Sequence, residues 1–172
     1  MSAAMTLITT LGLTDDFLSS YLPPLQLEAS EQDLKPIHQT DALKPILTTA
    51  KTAVCWEKMQ SAAAQDGINL YIISGFRSVQ YQLEIVNRKR KAGQDIEQIL
   101  KVSALPGYSE HHTGRALDLG MPGMPALTED FEHTKGFSWL QKHAKAFAFS
   151  MSYPRQNPYG IAFEPWHWLC DA

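Results

Sequence analysis

Cysteine is nearly absent. Cys55 and Cys170 stand far apart and outside any Cys-x-x-Cys spacing, which argues against both a disulfide framework and a thiolate metal cage. Excess positive charge is missing as well: a formal net charge of −3 leaves no basic surface to gather phosphates, so nucleic acid and anionic membranes are poor partners. No apolar run approaches the ~20 residues that span a bilayer, and no internal repeat or low-complexity tract occurs. A secretory leader is not evident either. Met5-Thr6-Leu7-Ile8 is a short apolar piece, no Lys or Arg precedes Lys35, and Asp15-Asp16 follow closely. The expectation is an unprocessed, cytoplasmic chain, with non-classical export as the alternative. What is there suits a soluble globular protein: 44% hydrophobic and 19% charged residues in a chain of 172, long enough for one domain with a real core and cramped for two. A peptide or other small substrate fits this surface best. Nothing in the composition fixes an oligomeric state.

Residues 1 to about 35 read as a peripheral arm, with Thr14 or Asp15 capping a short helix through Phe17 and Leu18 that Pro23-Pro24 would stop. Residues 36–172 then read as the functional domain. From Asp41, the residues Leu43, Ile46, Leu47, Ala50, Val54, Met59 and Ala63 predict a helix closed by Gly67. Ile68 to Ile73 is short, β-branched and aromatic, which predicts a buried strand delivering Ser74-Gly75-Phe76-Arg77-Ser78 at its end. Tyr81, Leu83, Ile85 and Val86 predict a second helix, its solvated end being the basic run Arg88 to Lys91. Ile96, Ile99, Leu100 and Val102 predict a third, running to Pro106-Gly107. If Gly114 to Leu119 is a strand, Gly114, Ala116 and Asp118 share one face while Leu117 and Leu119 enter the core from the other. Residues 121–130 read as a loop bordering a site. Phe137, Leu140, Ala144 and Phe147 predict a last helix, with His133 and His143 at the surface or its boundary. Turn residues around Asn157-Pro158-Tyr159-Gly160 link two strands, the second being Ile161 to Glu164, kept extended by Pro165.

The chemistry concentrates in two places. Ser109 to Asp118 offers imidazole and carboxylate seven positions apart, and Glu164-Pro165-Trp166-His167 adds another imidazole and a free carboxylate. Nitrogen and oxygen donors of this kind hold zinc. The reading is one Zn²⁺ on His111, Asp118 and His167, with His112 the rival to His111 and Glu164 handling the proton of a water.

Ser-x-His-x-x-Gly-x-Ala-x-Asp followed about fifty residues later by Glu-x-Trp-His resembles the zinc D-alanyl-D-alanine carboxypeptidases of the VanY type. Three elements match in order: Ser74 to Ser78 with Gln82, then Pro106 to Asp118, then Glu164 to His167. Such enzymes group with D-Ala-D-Ala dipeptidases, lysostaphin-like enzymes and hedgehog domains. The resemblance implies an α+β fold whose small antiparallel sheet, flanked by helices, carries the zinc site. It also implies His111 rather than His112 as ligand, together with Asp118 and His167, and Glu164 as general base. Arg77 would serve a substrate carboxylate or the developing oxyanion. Ser78, Gln82 and Ser109 would bond the substrate, and Trp166 would wall the pocket. The implied activity is removal of a C-terminal D-alanine from peptidoglycan stem peptides or muropeptides. Alternatives are an L,D-carboxypeptidase acting on recycled tetrapeptides, a D-Ala-D-Ala dipeptidase or endopeptidase, and a catalytically silent zinc-binding module. Two departures bear on pocket shape and substrate preference: Trp168-Leu169-Cys170-Asp171-Ala172 lacks the Arg common in the family, and Tyr159-Gly160 stands where Thr-Gly is usual.

Overall fold

A computed structural model describes residue 11, residues 13–37, residue 39 and residues 45–171. The apolar piece Met5 to Ile8 and the start of the expected helix, Asp41 and Leu43, lie outside the described residues. Helix α1 (Asp15–Ser20) starts at Thr14, whose hydroxyl accepts the Phe17 N–H at 3.2 Å, so Thr14 rather than Asp15 is the cap. The chain then runs extended along the later functional segments. The Tyr21 hydroxyl accepts the Leu105 N–H, the Gln26 N–H donates to the Gly107 carbonyl, and the Ala29 N–H donates to the His112 carbonyl.

Strands β1 (Leu34–Ile37) and β2 (Ile46–Thr49) pair antiparallel, Leu34 opposite Thr49. Ile46 and Leu47 therefore belong to a strand, not to the helix their spacing predicts. Helix α2 (Ala50–Gln65) begins only after Thr49, whose side chain accepts the Thr52 N–H and stops the helix from extending backwards. Its buried face is Thr52, Trp56, Met59 and Ala63, and Val54 is half exposed. Spacing among apolar residues ran one face too far, because it could not see the strand that the cap cuts off.

The main sheet has the order β3 (Tyr71–Ser74), β4 (Ala116–Gly120), β6 (His167–Cys170), β5 (Phe149–Met151), antiparallel throughout. The strand expected at 161–164 is instead a connecting segment, with Ala162 donating to Lys101 and Glu164 to Tyr153 through their backbones. Pro165 has no N–H for a ladder, so pairing resumes at His167. All five residues of β4 are buried, and Leu117 and Leu119 enter a core built with Trp56, Met59, Leu140 and Phe149. Helices α3 (Val79–Lys91) and α4 (Ile96–Val102) meet in a second cluster around Leu83, Val86, Ile99 and Leu105. Helix α5 (Lys135–His143) continues as a 3-10 turn to Phe147, close to the predicted last helix. The result is the expected α+β architecture. Among the described residues, no helix is long and apolar enough to cross a membrane.

Candidate active site

Sheet register brings two of the donors together. Asp118, in the middle of β4, lies opposite His167 on β6, and directly opposed residues of an antiparallel pair point to the same face. His111 arrives from a 3-10 turn, Glu110–Thr113, which Gly114 ends at φ 66°, a left-handed conformation that glycine adopts without penalty. The His111 Nδ1–H donates to the Gly75 carbonyl at 2.7 Å. Gly75 has to be glycine, since a Cβ there would lie 2.6 Å from the Leu47 carbonyl oxygen. The other nitrogen, His111 Nε2, then faces Asp118 Oδ2 at 3.2 Å, while His167 Nδ1 faces Asp118 Oδ1 at 3.1 Å and Glu164 Oε2 at 3.8 Å. One donor atom from each of His111, Asp118 and His167 lies within 4.8 Å of the others, and all three residues are buried.

His112, the rival to His111, stands apart from this set. It is fully buried, with Nδ1 2.6 Å from the Arg77 carbonyl and Nε2 accepting the Gly107 N–H at 3.1 Å. An imidazole that accepts at Nε2 carries its proton on Nδ1. The ring therefore ties the Pro106-Gly107 turn to the end of β3 and has no lone pair left for a metal.

A cleft of about 440 Å³ opens on the three donors and is lined also by Arg77, Gln82, Ser109, Glu164 and Trp166. Leu127 and Glu129 line it too, so the loop at 121–130 does border the site. Gln82 is 1% exposed; its Nε2 donates to the Ala104 carbonyl at 2.6 Å, and its Oε1 has no partner among the described residues. Arg77 Nε is the other buried side-chain atom without a partner among the described residues. Ser78 is absent from the lining; its hydroxyl caps α3 by accepting the Tyr81 N–H at 3.0 Å.

Four lining or supporting groups were not legible in the motifs. Glu110 Oε2 lies 2.8 Å from His167 Nε2, and the Tyr153 ring lies against the His167 ring, centroids 4.7 Å apart. Arg88 and Lys89, read as a solvated helix end, line the cleft, and Lys89 Nζ donates to Ser103 Oγ at 2.7 Å. Glu110's position inside Ser-Glu-His was the one available signal.

Electrostatics set the protonation states. Burial, reinforced by the Arg77 charge, pushes His111 down to about 4, leaving a neutral ring with a free lone pair. Burial opposes charge on His167 as well, but hydrogen bonds to Asp118 and Glu110 outweigh it and raise the ring to about 10. Asp118 is buried, yet the His111 and His167 contacts hold it well below the usual carboxylate range. Glu164 goes the other way. Burial, against the His167 charge and with the Asp118 charge, lifts it to about 7, the range of an effective general base at neutral pH.

The family model for D-alanyl-D-alanine carboxypeptidase, VanY, matches residues 46–170. The putative carboxypeptidase YodJ of Bacillus subtilis is 32% identical over 118 residues, 63% of this chain and 41% of YodJ. The structure of the LdcB LD-carboxypeptidase superposes with a TM-score of 0.73 at 28% identity, covering 86% of this chain and 71% of LdcB. The vancomycin-resistance D,D-pentapeptidase VanY from the VanB-type cassette, solved as a mutant in complex with Zn(II), shares the fold with a TM-score of 0.66 at 22% identity, covering 88% of each chain. This chain spans between 41% and 60% of the length of the curated relatives it matches.

Proposed function

The chain belongs to the VanY family of D-alanyl-D-alanine carboxypeptidases, and from that membership we propose that it removes a C-terminal D-amino acid, D-alanine above all, from peptidoglycan stem peptides or muropeptides with the help of one Zn²⁺. The observation that carries this reading is the buried meeting of His111, Asp118 and His167 at the floor of a cleft that also holds Glu164 and Arg77. The donor set suits zinc. Tetrahedral bonds of 2.0–2.1 Å imply ligand separations of about 3.3 Å, close to the 3.1 and 3.2 Å found here. His111 Nε2, a carboxylate oxygen of Asp118 and His167 Nδ1 would hold the ion. Zinc in such a set supplies Lewis acidity to the scissile carbonyl and lowers the pKa of water.

The rest is done by the chain's own groups. Glu164 takes the proton of the attacking water and passes it to the leaving amine. Arg77, whose Nε has no partner among the described residues, directs its donors at a substrate oxygen, either the terminal carboxylate or the oxygen on which charge develops. Gln82 offers its unpartnered Oε1 to a substrate N–H, with Ser109 and Trp166 completing the walls. Ser78 fixes the first turn of α3 and so the placement of Gln82. Arg88 and Lys89 add positive charge to the same cleft, which favours a peptide with a free carboxylate over a neutral one.

A second reading, L,D-carboxypeptidase action on a tetrapeptide, is favoured by the likeness to LdcB. Incubating zinc-loaded protein separately with a D-Ala-ended pentapeptide and a D-Ala-ended tetrapeptide distinguishes them by which one releases D-alanine. Release from neither overturns both. Free D-Ala-D-Ala, tested beside the pentapeptide, separates dipeptidase action from carboxypeptidase action.

A further inference from the structure

We infer that Glu110 is a positioning residue for His167, fixing which nitrogen of that ring is offered to the metal; this rests on the metal site proposed above. The two histidines of the site are held from behind in opposite senses. His111 gives Nδ1–H to the Gly75 carbonyl and turns Nε2 toward Asp118. His167 does the reverse: Nδ1 faces Asp118 Oδ1 at 3.1 Å, and Nε2 meets Glu110 Oε2 at 2.8 Å. A neutral imidazole has one N–H and one lone pair. Carboxylates flank both nitrogens, so with a metal taking the lone pair of Nδ1, on the Asp118 side, the one remaining proton belongs on Nε2, where Glu110 accepts it.

Glu110 is itself well fixed. It is 8% exposed, bonds Ser152 through its side chain, and sits in a turn closed by the Thr113 hydroxyl donating to its carbonyl at 2.7 Å. It does not line the cleft, so it does not touch substrate, and it reaches His167 at the nitrogen turned away from Asp118, so it is not a further ligand. A carboxylate behind a ligating imidazole orients the ring and strengthens it as a donor, and losing such a partner weakens metal binding roughly 10–100-fold.

The test is zinc affinity, measured by competition with a chromophoric chelator on metal-stripped wild type, E110A, E110Q, H167A and the E110A/H167A double variant. The expected result is a loss of roughly 10–100-fold for E110A, a smaller loss for E110Q, which keeps an acceptor oxygen without the charge, and no further loss when E110A is added to H167A. Nitrogen-15 spectra of zinc-loaded wild type should show His167 protonated on Nε2. Wild-type affinity in E110A overturns the inference, as does a full loss that persists in the H167A background or an Nδ1-protonated His167. If E110A does not fold, E110Q against wild type makes the same comparison, and unchanged affinity there overturns it equally. Wild-type protein that binds no zinc removes the metal site itself, and this inference with it, which is a different outcome from zinc bound indifferently to Glu110.

Discussion

Replacing Gln82 with Met separates a group kept for substrate from one kept for folding. Gln82 is 1% exposed, donates one hydrogen bond to the Ala104 carbonyl at 2.6 Å, and leaves Oε1 unpartnered. The Gln82→Met variant keeps nearly the same volume. Losing the Ala104 bond costs about 0.5–1.5 kcal/mol, while removing a buried acceptor without a partner returns about 1–3 kcal/mol. The folded state should therefore lie between about 0.5 kcal/mol less and about 2.5 kcal/mol more stable than wild type. Activity should move the other way. If Oε1 accepts a substrate N–H, its loss removes about 1–3 kcal/mol of transition-state binding, which is about a 5- to 150-fold fall in kcat/KM. Urea denaturation and D-alanine release from a pentapeptide measure the two quantities. Unchanged kcat/KM, or a loss of about 3 kcal/mol in stability with full activity, would make Gln82 a structural bolt with no part in holding substrate.

Other consequences follow from the same geometry. E164Q should retain zinc at wild-type stoichiometry while kcat falls by roughly 10²–10⁴; wild-type turnover would remove Glu164 from the chemistry. Leu117→Ala empties a fully buried position beneath the donor strand and should lower stability by roughly 2–5 kcal/mol, read by denaturant midpoint. In metal-free protein, His167 keeps its proton to about 10 against an ordinary 6.5, so its stabilising contribution is complete below pH 6.5 and fades as pH rises toward 10. Glu164, raised from 4.5 to about 7, acts with the same sign at lower pH. Unfolding free energy of stripped protein should therefore decline between pH 6.5 and 9.5, and His167→Gln should flatten that decline; a rise in wild type would contradict the assignment.

Much of the site was legible because its chemistry is local in sequence. His111 and Asp118 share one turn-and-strand unit, and Glu164 and His167 share another. The sheet register that makes Asp118 and His167 neighbours is a single long-range fact. The α+β class came with the family resemblance that these two motifs carry. Errors arose where a short range of residues competes between two states. Ile46 and Leu47 fit a helical stripe as well as a strand, and only pairing with Leu34 to Ile37 decides between them. Ile161 to Glu164 has strand composition but meets no ladder, because its backbone bonds go to Lys101 and Tyr153 instead. His112 shows the same limit on the scale of one ring. Adjacent to His111 and equally polar, it is spent on the Gly107 and Arg77 backbones, which no spacing rule reveals. The roles of Glu110 and Lys89 depend on which way a turn and a helix end face, which spacing does not give.

A peptidase built on His111, Asp118 and His167 should depend on zinc for turnover. The most direct test is D-alanine release from a D-Ala-ended stem peptide, followed as zinc is titrated into metal-stripped protein. Stripped protein should release none, and release should rise to saturation at one equivalent of zinc per chain. Release that ignores zinc, or none at any ratio with either pentapeptide or tetrapeptide, would contradict this expectation.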